Sequence, residues 1–407
     1  MTENTSKDNQ IPTNLNEPIE EFKINGAKIT VLGTAHVSRE SERSVKNLIS
    51  SRQYDLVAIE LCEGRYRNIQ NPDAFVNLDL WKVIKEKKTA LIAANLILGA
   101  YQNRIAEQHN VAAGAEMLAA IKYAEKFKLS IDLIDRDIGI TLKRTASSLS
   151  WWKRFNLFTG LFYSLISKDQ VDEKQIENLK NTDTLEEIFS EFSTHKKEMF
   201  VPLISERDLF MSAKIFDLSK ENPGKNILAI VGAGHLKGIK SEIKNIEDSK
   251  KIIEQLNRIP KKSKFIKIFP WIIVFIILTG FFIGFSKSTD LGIDLIFDWI
   301  IINGGLSALG AILAGAHPLT IIVAFLSAPL TSLNPTIGAG MVSAGAELII
   351  RKPQVKDFKR LREETTKITG WWKNRVSRTI LIFIFCSLGS AIGTYFAGFQ
   401  IFEKLTN

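Results

Sequence analysis

Two histidines leave apolar runs in the same way. Residues 28–34 end in Gly33-Thr34-Ala35-His36, and residues 226–231 lead into Gly232-Ala233-Gly234-His235. A Gly-x-x-His spacing after a β-branched run predicts a strand that ends in a sharp turn and holds an imidazole over the sheet edge. One such histidine taken alone is usually structural; the recurrence is what points to chemistry. Two neutral imidazoles and a carboxylate form a common ligand set for a divalent metal ion such as zinc, manganese or cobalt. Glu60 or Glu206 is available as the third ligand, or as the base that takes a proton from water. Arg65, Arg136 and Arg207 can offer positive charge to a substrate carbonyl, a carboxylate or a developing oxyanion. Their structural alternative is ion pairing with Glu63, Asp135 and Asp208, expected for at least one of them because a buried guanidinium needs partners. His109 and His195 lie on charge-rich helical stretches without a strand-end glycine and are expected to be solvated.

The elements that would position these groups form an α/β pattern. Residues 22–32 predict a hairpin turning at Asn25-Gly26, and residues 39–50 a helix. Residues 55–60 then read as a second buried strand with Glu60 at its end. A helix between two such strands suggests a parallel crossover, which puts Glu60 on the same sheet edge as His36. Glu63, Arg65 and Arg67 follow just beyond that edge. Residues 81–107 are helical, and their apolar run at 90–100 is too short to span a bilayer. A further helix covers 112–127 and carries Glu116. A third strand, 130–135, ends in Asp135-Arg136-Asp137. Ionisable groups at successive strand ends are expected where ligands bind outside the carboxyl edge of a sheet. A helix beginning near Pro202 carries Glu206, Arg207 and Asp208, and 237–256 is again helical. The expected fold is an α/β soluble head with a mostly parallel β-sheet and helical insertions, at about residues 21–250, behind a disordered tail at 1–20.

The remainder, 251–407, reads as a helical membrane domain. The chain has 407 residues, 45% hydrophobic and 24% charged, but after residue 265 much of it is nearly uncharged over bilayer-length spans. Spans fit 268–285, 295–315 and 379–402, and the apolar piece 319–350 is broken at Thr331-Ser332-Leu333-Asn334-Pro335, giving four to five spans with one broken or re-entrant. The net charge of +9 does not point to nucleic acid, because many basic residues flank these spans. The collar at 260–267 and the basic stretch 351–378 set topology instead, with the head expected in the cytoplasm and the spans in the plasma (inner) membrane. Residues 1–18 are polar and lack the hydrophobic core expected of a signal peptide, in keeping with that expectation. Membrane lipid is therefore an expected partner. Aromatic and basic residues interleave at 151–163, suiting a membrane interface or packing against the core or a second copy of the chain. Cys62 and Cys386 give neither a disulfide framework nor a cysteine zinc site.

Taken together, Gly33-Thr34-Ala35-His36-Val37-Ser38, Glu60-Leu61-Cys62 with Arg65, Asp135-Arg136-Asp137, Glu206-Arg207, Gly232-Ala233-Gly234-His235-Leu236 with Gly238, His317-Pro318-Leu319-Thr320 and the broken segment at 331–335 resemble the TraB and PrgY proteins. That family is named for pheromone shutdown in conjugative plasmid systems and is similar to the Tiki metalloproteases. The resemblance implies a Tiki/TraB-like head, a divalent ion such as manganese or cobalt held by paired Gly-x-x-His motifs and a glutamate, and hydrolysis of a peptide. Residue by residue, it points to His36, His235 and Glu60. Two other classes remain open: a protein that binds a peptide, small ligand or haem-like cofactor without turnover, and a transporter using Asp298, His317, Asn334 or Glu347 within the apolar spans.

Overall fold

A computed structural model describes residues 17–34, 39–70, 79–86, 88–108, 114–150, 152–153, 199–260 and 264–406. The chain forms two compact units, Met1–Asn71 with Tyr101–Pro260, and Pro72–Ala100 with Lys261–Asn407.

In the first unit, strands β1 (Ile19–Ile24) and β2 (Ala27–Thr34) pair antiparallel. Asn25 and Gly26 both have positive φ, 52° and 82°, the backbone that a two-residue hairpin turn requires. Helix α1 (Arg39–Ser50) matches the sequence expectation residue for residue, and β3 (Leu56–Ile59) and α2 (Glu63–Gln70) follow. Helix α3 (Leu80–Lys85) and α4 (Thr89–Gln108) up to Ala100 belong to the second unit, and the first resumes through the end of α4 into α5 (Ala115–Lys126), β4 (Ser130–Leu133) and α6 (Ile138–Ser148). A π-helical turn, Val201–Ser205, runs into α7 (Glu206–Glu221), and β5 (Asn226–Gly232), α8 (Ala233–Glu242) and α9 (Ser249–Asn257) complete the unit.

The sheet has the order β1-β2-β5-β3-β4, and every pair except β1-β2 is parallel. The crossover from β2 through α1 to β3 is parallel as expected. It leaves a gap, however, and β5 fills it, with Thr34 opposite Gly232 on one side and Ile59 opposite Ile230 on the other. Strand residues alternate between two cores. Ile29, Val31, Ala229 and Val231 pack with Met211 and Ile215 of α7 and Ile239 of α8, while Leu32, Val57, Leu228 and Ile230 pack with Val45 and Leu48 of α1 and Ile121 of α5. Burial on both faces explains why β5 is apolar throughout rather than alternating. Four parallel strands thus end at one edge.

The second unit contains α10 (Lys264–Lys287), α11 (Thr289–Leu313), α12 (Pro318–Ser332), α13 (Ala339–Ile350), three short helices α14 (Val355–Lys359), α15 (Leu361–Glu364) and α16 (Ile368–Lys373), and α17 (Arg375–Thr406). Among the described residues, three helices are long and apolar enough to cross a membrane, within Ile268–Lys287, Thr289–Leu313 and Arg375–Thr406. Glycines set the closest approaches between α11 and α17. A Cβ on Gly310 would lie 2.4 Å from the Phe385 carbonyl oxygen, and one on Gly389 would lie 2.2 Å from that of Leu306. The contacts run antiparallel, ending with Lys404 against Asp294. The broken segment forms α12 and α13, of 15 and 12 residues. At 1.5 Å per residue they are about 22 and 18 Å long, shorter than a hydrocarbon core of about 30 Å. Glu347 of α13 accepts from the His317 N–H at 3.0 Å and from the Thr320 hydroxyl at 2.7 Å, satisfying the first turn of α12. Asn303 likewise bonds Ser390 and Thr394 across α11 and α17. These polar groups have interhelical partners of the ordinary kind.

Candidate functional site

Each strand end contributes charge to the carboxyl edge. Glu60 follows β3, Asp135 and Arg136 follow β4, and α8 starts directly from β5, so that His235 falls in its first turn. Helix α7 lies across this edge and adds Glu206, Arg207 and Asp208. His36 and residues 35–38 lie outside the described residues, as do His109, His195 and the aromatic stretch 154–163. The strand that leads to His36 ends at Thr34, which is paired with Gly232 at the start of the other Gly-x-x-His loop.

His235 is fully buried and held from both sides. Its Nδ1 is 2.5 Å from Asp208 Oδ1, and its Nε2 is 3.4 Å from Glu60 Oε1. Glu60 also accepts from the Gly232 N–H through Oε2 at 2.6 Å and from Arg207 Nη2 through Oε1. Arg207 in turn makes a two-pronged contact with Asp135, Nε to Oδ1 and Nη2 to Oδ2, both at 3.0 Å. Two glycines make this approach possible. A Cβ on Gly238, one turn after His235, would sit 1.9 Å from Asp208 Oδ2, and one on Gly33 would sit 2.2 Å from Leu236 Cδ1 and 3.1 Å from Ala233 Cα.

Glu206 and Arg136 form a neighbouring but separate cluster. Arg136 Nη1 donates to Glu206 Oε2 at 2.7 Å, its Nη2 to the Pro202 carbonyl at 2.7 Å and its Nε to Thr141 at 3.0 Å. Arg144 donates to both Glu206 oxygens at 2.6 Å. Burial opposes the Glu206 charge, but hydrogen bonds from Arg144 and Arg136 outweigh it and hold the carboxyl below its ordinary range. Of the two glutamates that the sequence offered beside the histidines, Glu60 is therefore the one at His235. The sequence also paired the arginines differently. Arg207 binds Glu60 and Asp135 rather than Asp208, and Glu63 takes Arg67. Asp135-Arg136 and Glu206-Arg207 interlock instead, each acid of one pair on the base of the other. Arg65, on α2, is partly exposed and lies 3.6 Å from Asp135 Oδ2. Sequence reasoning missed Asp208 as the partner of His235 and Arg144 as a partner of Glu206. The available signals were the Glu-Arg-Asp triplet opening α7 and Gly238 one turn past His235.

A profile of the TraB/PrgY/gumN family matches residues 20–255, and one for the C-terminal domain of TraB family proteins matches residues 265–406. The chain belongs to the TraB/PrgY/gumN family. It is similar to an uncharacterized protein of Methanocaldococcus jannaschii, 33% identical over 92% of this chain and 94% of that protein. TraB domain-containing proteins of mouse and human are 28% and 27% identical over 236 residues, 53% of this chain and 62% of theirs.

In this TraB-family site, the donor chemistry can be compared with the divalent ion that the resemblance implies. Among the described residues, no three His, Cys, Asp or Glu side chains meet as metal ligands. Two do fit. Ligand atoms each about 2.1 Å from one ion, at a tetrahedral angle, lie roughly 3.4 Å apart, and His235 Nε2 and Glu60 Oε1 are separated by 3.4 Å. Asp208 on Nδ1 supplies the carboxylate that commonly orients a metal-binding imidazole.

Proposed function

We propose that the first unit is a metal-dependent hydrolase of a peptide or similar amide, carried on the membrane by the second unit. The observation that supports this reading is the placement of His235 between two carboxylates. Asp208 can only accept, so the Nδ1 proton points to it and the Nε2 lone pair faces an oxygen of Glu60. His235 Nε2 and Glu60 Oε1, 3.4 Å apart in a buried site, have the spacing of two ligands on one cation. His36, from the paired motif, is the third ligand in this reading.

Bound there, a divalent cation would supply Lewis acidity toward a carbonyl and toward water. The residues of the chain do the positioning. Asp208 fixes the tautomer and angle of His235, and Arg207 and the Gly232 N–H hold Glu60 in one rotamer. Arg65, partly open to solvent at the rim, faces the incoming substrate. Arg136 and Glu206 act at one remove, by tying β4, α6 and α7 together.

The second unit supports a multi-pass arrangement in the plasma (inner) membrane. Its basic connection at 351–378 belongs on the cytoplasmic side, and the head, which enters α10 through the basic collar, belongs there too. A binding protein without turnover is the second reading, supported by the partners that His235 and Glu60 already have within the chain, Asp208 on one and Arg207 with the Gly232 N–H on the other. Titrating the purified full chain with manganese, cobalt and zinc, then incubating it with a peptide library, separates the two. The hydrolase reading expects one ion to bind tightly and cleavage to disappear in both His235→Ala and His36→Ala. Cleavage that ignores both substitutions would sink it, and capture of a peptide without turnover would favour the binding protein.

A further inference from the structure

The two ends of the helical unit differ in charge. At the end where α11 and α13 finish and α12 and α17 begin, residues 351–378 carry ten Lys or Arg against three Asp or Glu. The opposite end, where α10 gives way to α11 and α17 finishes, carries Asp290, Asp294, Asp298 and Glu403 against Lys287 and Lys404, and Lys404 lies 2.7 Å from both Asp294 and Asp298.

The basic end is a folded piece rather than a loose loop. Buried Trp371 donates its indole N–H to the Thr365 carbonyl at 3.0 Å, and Trp372 donates to that of Leu313, the last residue of α11, at 2.8 Å. Asn374 ties the Asp357 carbonyl to the Glu364 carboxylate. Three of the cations are absorbed by this framework: Arg351 donates to the Gly315 carbonyl, Arg375 to that of Lys352 and Arg378 to that of Trp372. Five others, Lys352, Lys356, Arg360, Lys367 and Lys373, are exposed. None of the five forms an ion pair among the described residues, although Asp357, Glu363 and Glu364 lie in the same segment. The framework therefore displays a set of unneutralised cations at the ends of apolar helices.

We propose that residues 351–378 form a binding plate for the headgroups of anionic phospholipids. The proposal rests on the reading that the second unit spans a membrane. Its chemistry is that of a phosphodiester anion meeting ammonium and guanidinium groups at headgroup depth. Lysines scattered on a mobile loop would bias topology alone; cations fixed on a scaffold can also select among lipids.

The test uses the full chain in a neutral detergent, titrated with short-chain phosphatidylglycerol, phosphatidylcholine or inorganic phosphate, with bound ligand counted by native mass spectrometry. Its companion is a variant with Lys352, Lys356, Arg360, Lys367 and Lys373 all changed to Gln, positions whose exposure leaves the packing intact. A positively charged residue near an anionic surface is worth about fivefold in binding, so phosphatidylglycerol should bind wild type at least about tenfold more tightly than phosphatidylcholine. The variant should lose that preference. Equal binding of the two lipids, a preference that survives in the variant, or phosphate binding as tightly as the lipid would each overturn the plate while leaving membrane insertion standing. Recovery of wild type from cells in the soluble fraction without detergent would overturn the membrane reading and the plate with it.

Discussion

Replacing Glu206 with Gln probes the cluster that fastens β4, α6 and α7. Three charge-assisted hydrogen bonds converge on this carboxylate, from Arg136 Nη1 at 2.7 Å and from Arg144 Nε and Nη2 at 2.6 Å. Glutamine keeps a single carbonyl oxygen and turns an N–H2 toward guanidinium donors. The Arg136 side chain is 0% exposed and would lose its carboxylate partner. Breaking a buried pair in this way costs about 3–5 kcal/mol. Because Glu206 and Arg144 remain slightly exposed, at 17% and 16%, the lower end, about 3 kcal/mol, is expected. Urea unfolding of the full chain in a mild detergent, followed from pH 7 downward, measures it. The native carboxyl lies below the ordinary value of 4.5, so its stabilisation is complete above that pH and is lost as pH falls through the lowered native value. The gap between wild type and E206Q should therefore shrink in acid. A gap under about 1 kcal/mol at pH 7, or one that widens as acid is added, would refute the argument.

Four further substitutions test the site and the helical unit. Asp208→Asn removes the carboxylate that orients His235, and cation affinity by calorimetry should fall about 10–100-fold; an unchanged affinity would disconnect Asp208 from the site. Gly238→Ala places a methyl group 1.9 Å from Asp208 Oδ2 and 2.8 Å from its Cβ, so overpacking of about 1–3 kcal/mol is expected, with the same loss of cation affinity. In the second unit, Gly310→Ala would put Cβ 2.4 Å from a backbone oxygen, whereas Gly305 has nothing within 4 Å. The first should lower the thermal midpoint in detergent, and Gly305→Ala should leave it unchanged or raise it, since alanine favours a helix by up to about 1 kcal/mol over glycine.

Local features of the fold were legible in the sequence because neighbouring residues determine them. Asn25-Gly26 specifies a hairpin through its backbone, and the expected helix at 39–50 coincides with α1. The position of β5 was not legible, since pairing across nearly two hundred residues leaves no mark in either strand. The charged triplets failed as guides to pairing for a related reason. Sequence proximity suggested that each arginine would meet an acid beside it, but adjacent side chains on a strand end or a first helical turn point apart. Asp135-Arg136 and Glu206-Arg207 found each other instead. The paired Gly-x-x-His signal led to His235 and to the edge that holds it, while its carboxylate partner depended on how α7 crosses the sheet.

The late arrival of β5 has a consequence for biosynthesis. During translation, β2 and β3 emerge early with no strand between them, and two facing edges stay unpaired until Asn226 and its successors are made. Such edges invite pairing with other chains, so the nascent head needs shielding over most of its synthesis. A message truncated upstream of that strand would yield a product lacking both a continuous sheet and the buried His235 that follows β5.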